Sequence, residues 1–234
     1  LREARAVNRI HHPNIVEITD VGETEDGVVY LVMEYVPGES LLELLAEAPF
    51  DSRRMLDIAA QIASALSRAH EMGVIHRDLK PENVLVVPES GREIVKGRDF
   101  GSAKITDAPS LTGSQQLFGT PGYIAPEYVQ SAKLDGRADL YSLGVLMYEM
   151  VTGLLPFDYE FPGDLLVKHV VEPPIPPSRR NPHVEPAVEE LVLRALAKNP
   201  DQRFRDAHHF LDELERVRER LGTDESWGAM SAPS

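Results

Sequence analysis

No cysteine occurs in the 234 residues, which excludes a disulfide framework, a thiolate nucleophile and a zinc–thiolate cluster. Cations are in short supply: 24 Lys and Arg stand against 38 Asp and Glu, for a formal charge of −14. A surface of that sign repels nucleic acid and anionic membranes, so neither is an expected partner. Long apolar runs are missing too. The longest stretches, such as Leu140 to Val151, are too short to span a bilayer, and no signal peptide opens the chain; a cytoplasmic location is the expectation. No internal repeat is found. What remains is ordinary globular material, 42% hydrophobic, enough to bury a core in one large domain or two small lobes.

The halves of the chain are unequal. Residues 1 to about 10 read as the end of a helix, and "IVEITDVG" and "VVYLVMEYV" alternate around the turn-forming "ETEDG" as a β-hairpin. From there on the pattern is mostly helical. "DSRRMLDIAAQIASALSRAHEMG" puts Met55, Ile58, Ile62, Leu66 and Ala69 on one face, with Asp51 or Ser52 as the cap and Gly73 as the stop. Arg137 to Thr152 is apolar nearly all round and predicts a buried central helix, while Pro186 to Lys198 and Asp206 to Leu221 predict amphipathic ones. "EPPIPPSRRNP" is a proline-rich connection. Residues 222–234 are polar and Gly/Ser-containing, and are expected to be disordered.

The chemistry concentrates in "HRDLKPEN", His76 to Asn83. It follows "VI", expected as a short strand, and leads into "VLV", another strand. One turn there supplies an aspartate, a lysine two positions on and an asparagine five positions on. Such a loop can aim a carboxylate at an attacking hydroxyl, a cation at a phosphate and an amide oxygen at a metal. "DFG" at Asp99 to Gly101 could hold a second face of that metal, although a turn aspartate is the commoner explanation of such a tripeptide alone.

Together "HRDLKPEN", "DFG", "GTPGYIAPE", "DLYSLG" and "DQRF", in that order and spacing, resemble the eukaryotic-type protein kinase family over roughly residues 1 to 216. The resemblance implies an α+β, bilobal kinase-like fold. Residues 1–36 would be a remnant of the amino-terminal lobe and hinge, and residues 37–221 a helical lobe with the catalytic loop and activation segment. It implies ATP and Mg2+ as cofactors and a protein Ser/Thr hydroxyl as acceptor, since Lys80 and Thr120 follow the serine/threonine version of the pattern. Asp78 would be the base, Lys80 would meet the transferred phosphate, and Asn83 and Asp99 would hold magnesium. Met33 matches the gatekeeper, Glu34, Tyr35 and Val36 the adenine-binding hinge, and Leu85 the floor of the adenine pocket. Glu127 and Arg203 would pair, Asp139 would bond the backbone of the catalytic loop, and His76 and Phe100 would pack with Val7 and Ile18. Arg77 and Lys104 imply control by phosphorylation, with Thr112 and Ser114 as acceptors.

Two features depart from that pattern. Glu3 falls at the helix position whose glutamate should pair with a strand lysine, yet the sequence holds neither that lysine nor a glycine-rich loop. A start at Leu1 fits a fragment better than a natural amino terminus, and the hairpin would keep an unpaired edge. In "VKGRDFG" the two residues before Asp99 are Gly97 and Arg98 where the family is apolar. Glycine should weaken that strand, and the arginine should damage the site, snorkel outward or meet a phosphate. The expectation is a serine/threonine kinase domain, weak or inactive as these 234 residues. The alternatives are a pseudokinase or interaction module, and a small-molecule kinase, against which "GTPGYIAPE" speaks because it builds a peptide shelf.

Overall fold

The computed structural model of the chain describes residues 10–100, 121–130 and 134–230. Two small sheets lead into a mainly helical body, an α+β arrangement. Strands β1 (Ile18–Glu23) and β2 (Val29–Met33) pair antiparallel around a turn in which Gly27 takes φ of +83°. Val29, Tyr30, Val32 and Met33 of β2 stay largely exposed. A two-stranded hairpin with so little burial depends on its attachments for order.

The second sheet runs in the order β3–β4–β5, with β3 at Glu39–Ser40, β4 at Val84–Glu89 and β5 at Arg92–Gly97. Ser90 and Gly91 connect the last two strands, both with positive φ, as the twist of a two-residue hairpin turn demands. Residues 14–16 join this sheet at Gly97, whose amide donates to the Asn14 carbonyl (2.9 Å) and whose carbonyl accepts from the Val16 amide (2.8 Å). Gly97 is the last residue of β5, and a Cβ there would sit 2.7 Å from Phe100 Cε2, so the close approach favours glycine at the position where the sequence alone suggests only a weak strand.

Short helix α1 (Leu41–Leu44) opens with a capping box between Ser40 and Glu43. Helix α2 (Ser52–Glu71) is capped by the Asp51 carboxylate, which accepts from the Arg54 amide, and Gly73 stops it at φ of +71°. Its apolar stripe, including Met55, Ile58, Ile62, Leu66 and Ala69, is buried. After α3 (Pro126–Val129), the central helix α4 (Arg137–Thr152) is buried on nearly every side and ends at Gly153 in the left-handed region. Helices α5 (Pro162–Val171), α6 (Pro177–Arg180) and α7 (Pro186–Ala195) surround it, and α8 (Ala207–Met230) lies along α2. Gly144 lets α4 approach α7, since a Cβ there would stand 2.6 Å from that of Ala195.

Three local expectations are corrected. Val74 and Ile75 form no strand: the Val74 amide closes the end of α2 on the Ala69 carbonyl, and the following amides turn to a side chain. Helix α7 stops at Ala195 instead of Lys198. Helix α8 continues through 222–230, because Gly222 sits within the helix and does not take the left-handed turn that ends α2 and α4.

Candidate active site

Loop 76–83 is braced from below by one buried carboxylate. Asp139, near the start of α4, accepts from the amides of His76 (2.8 Å) and Arg77 (2.9 Å), while its Oδ2 also meets His70 Nε2 at 2.7 Å. Burial by itself would raise its pKa; the His70 hydrogen bond and the nearby imidazoles and Arg77 amide outweigh that, and the carboxyl is held below the usual range. Arg77 takes φ of +69°, a strained value for a non-glycine residue that the two bonds to Asp139 enforce. The loop is thus pinned by its backbone, with His76, Leu79 and Asn83 buried and Asp78 and Lys80 partly exposed. His70 was not singled out in the sequence; its place one helical turn before Gly73 put it in reach of Asp139 only through the packing of α2 on α4.

Above the brace, Lys80 Nζ lies 2.9 Å from Asp78 Oδ2, both partly exposed. Buried Asn83 donates from Nδ2 to the Asp78 carbonyl at 2.9 Å and approaches its carboxylate at 3.4 Å. With the amide nitrogen so engaged, the side-chain oxygen is the end left for a cation. The Arg98 amide bonds the Asn83 carbonyl (2.9 Å) and the Arg98 carbonyl accepts from His76 Nε2 (3.0 Å), which fastens the end of β5 to the loop. Asp99 follows at φ of +64°, its side chain half exposed. His76 is fully buried against Phe100, ring centroids 4.6 Å apart, as the expected packing role requires. Arg98 lies half out toward solvent, with Nε 3.9 Å from Asp99 Oδ2. Asn83 and Asp99 offer hard oxygen donors, and no cluster of three metal-binding acidic or histidine side chains occurs among the described residues. A sparse oxygen set of this kind suits magnesium, which keeps waters and shares itself with phosphates.

Residues 34–36, expected as the hinge, lead into β3, which pairs Ser40 with Leu85. Met33 and Tyr35 are exposed, Val36 and Leu85 partly buried, and Glu34 is tied through its carboxylate to Lys96, a partner the sequence did not announce. In the helical body, Arg203 grips Glu127 with both terminal nitrogens, and Tyr123 donates to Glu149 behind the short turn Pro121–Tyr123. Ile18 packs at the margin of the core. Glu3, Val7, Lys104, Thr112, Ser114 and Thr120 lie outside the described residues.

A pinned loop carrying an aspartate, a lysine and an asparagine, a second aspartate beside it and a helical body beneath define the protein kinase class. The chain belongs to that family: the model of the protein kinase domain matches residues 1–213. Among curated proteins it is similar to the serine/threonine-protein kinase pkn3 of Myxococcus xanthus, 46% identical over 224 residues, covering 92% of this chain and 41% of the relative. It is also similar to the serine/threonine-protein kinase PknB of Mycolicibacterium smegmatis, 40% identical over 229 residues, covering 95% of this chain and 36% of the relative. Pkn1 of Myxococcus xanthus is 43% identical over 215 residues, with 91% and 31% covered. The chain spans about two-fifths or less of the length of these relatives. Among the described residues no helix is long and apolar enough to cross a membrane.

Proposed function

We propose that this kinase domain transfers the γ-phosphoryl group of ATP to a Ser or Thr hydroxyl of a protein substrate, in the cytoplasm. The observation that supports this reading best is the loop in which Asp78, Lys80 and Asn83 meet within hydrogen-bond reach above the Asp139 brace. Asp78 orients the acceptor hydroxyl and takes its proton, and Lys80 moves from Asp78 to the incoming phosphoryl oxygens. Asn83 and Asp99 would hold magnesium, which neutralises charge on the phosphates when bound. The hinge backbone at 34–36 and the Leu85 side chain would receive the adenine.

For the 234 residues by themselves the proposal is weak transfer, because their sequence contains no glycine-rich loop and no lysine partner for Glu3, and phosphoryl transfer depends mostly on such positioning. The test is Asp78→Asn in the full-length protein. Turnover should fall about 10²- to 10⁴-fold with ATP affinity nearly unchanged. Parallel loss of ATP binding, or undiminished transfer, would remove Asp78 from this role.

A further inference from the structure

Lys96 is absorbed by none of the roles above, yet it stands where three parts of the fold meet. Its Nζ lies 2.6 Å from Glu34 Oε1, and the same oxygen accepts from the Glu17 amide at 2.9 Å. The Glu34 amide returns a bond to the Glu17 carbonyl at 2.9 Å. Residues 17 and 34 flank the open end of the β1–β2 hairpin, so the carboxylate closes the hairpin and fastens it to β5 in one contact. Both side chains are only about a quarter exposed. Partial burial opposes the charge on Glu34, but the Lys96 ammonium and the Glu17 amide outweigh it and hold the carboxyl below the usual range.

From Lys96 the strand runs directly into the candidate active site. Gly97 bonds residues 14 and 16, Arg98 bonds Asn83 and His76, and Asp99 comes next. Two residues therefore separate a tie to the hinge from a metal-side aspartate. The hairpin needs that tie, since β2 exposes its apolar side chains and its orientation is not set by core burial. Backbone bonds at Gly97 hold residues 14–16 along the strand, and at the same open end of the hairpin the ion pair sets residue 34, where the hinge begins.

We infer that Lys96 is a positioning residue which, through Glu34, sets the hinge segment 34–36 relative to Asn83 and Asp99, and thereby sets nucleotide affinity. This rests on the nucleotide-binding reading of that segment. A hydrogen-bonded ion pair with restricted solvent is strong enough to do this, and its effect should weaken with salt.

The experiment compares Lys96→Met, Lys96→Arg, Glu34→Gln and the Lys96→Met/Glu34→Gln pair in the full-length protein. Lys96→Met should raise KM for ATP about tenfold, as the loss of one charged hydrogen bond implies, with kcat within about twofold. Lys96→Arg should restore most of the affinity, and the double variant should be no worse than the single one. Raising the salt concentration should narrow the gap between wild type and Lys96→Met. In parallel, Lys96→Met should speed amide hydrogen exchange at Glu17 about tenfold while leaving α4 unchanged. If KM is unmoved while exchange at Glu17 rises, Lys96 is structural and the inference fails. Unmoved exchange removes the latch itself. A wild-type protein without nucleotide-dependent activity would sink the kinase reading, and the exchange result would still judge the latch.

Discussion

Arg203 is fully buried against Glu127, with Nη1 at 2.7 Å from one carboxylate oxygen and Nη2 at 2.8 Å from the other. Its remaining hydrogens go to the carbonyls of Ala197, Arg137 and Lys198, and its plane lies over the Tyr141 ring, 4.8 Å from the centroid. Every donor of this buried guanidinium is satisfied, so one residue joins α3, the start of α4 and the turn after α7.

Breaking that joint from either side leaves an uncompensated charge in the interior. Arg203→Met and Glu127→Ala should each lower stability by about 3–5 kcal/mol in urea unfolding. Arg203→Lys should not rescue, because an ammonium cannot reproduce the planar fork. Losses under ~1 kcal/mol would mean that the pair behaves as a surface bridge.

Acid should weaken the helical body through His169. Its imidazole is fully buried, with Nδ1 2.8 Å from the Tyr141 hydroxyl and the ring edge-on to Phe157. Burial, with the neighbouring Lys198 ammonium, pushes its pKa down to about 4. The unfolded chain binds a proton there below its ordinary value near 6.5, and the folded chain refuses it. Stability should thus be full above about pH 6.5 and decline toward pH 4, by up to about 3 kcal/mol. His169→Gln should flatten the slope of unfolding free energy against pH in that window; an unaltered slope would assign the acid sensitivity to other groups.

Phosphorylation should reach the catalytic loop through Arg77. Its Nε is buried and lacks a hydrogen-bond partner among the described residues, as a cation awaiting an anion would. Mass spectrometry of active protein should find phosphate on Thr112 or Ser114, and the double alanine variant should lose activity. A fully active protein with neither residue modified would refute this.

Gly97 and Arg98 should respond in opposite ways to substitution. Gly97→Ala drives a methyl into the Phe100 ring and should cost about 1–3 kcal/mol. Arg98→Leu removes a half-exposed side chain and should change stability by less than ~0.5 kcal/mol. Because that arginine competes weakly for Asp99, its loss should lower the magnesium concentration for half-maximal activity by up to about fivefold. A rise in that concentration would mean that Arg98 helps the site.

Much of the fold was legible because it is written in local patterns. Met55, Ile58, Ile62 and Leu66 recur at helical spacing between Asp51 and Gly73, and that span is a helix. Arg137 to Thr152 is apolar all round and is the buried centre. The hairpin alternates about its turn. Where one residue's conformation depended on a distant group, local pattern failed. "VI" before His76 has strand composition, but the amides that follow it are claimed by Asp139, 62 and 63 residues away. Gly97 looked like a defect because local pattern does not show that the Phe100 ring folds back against it or that the chain at Asn14 bonds it.

By itself the sequence determined the order of elements, the residue types of the catalytic loop and, through their spacing, the family. Periodicity, caps and turn residues act over a few positions, and a motif is local by nature. Only the tertiary structure decided that His70 joins Asp139 under that loop, that Lys96 and Glu34 tie the hairpin to β5, and that Arg98 lies half out toward solvent. Each of these is a hydrogen bond, an ion pair or a solvation choice between groups distant in the chain or dependent on the packing around them, and its geometry exists only once the helices and sheets have packed.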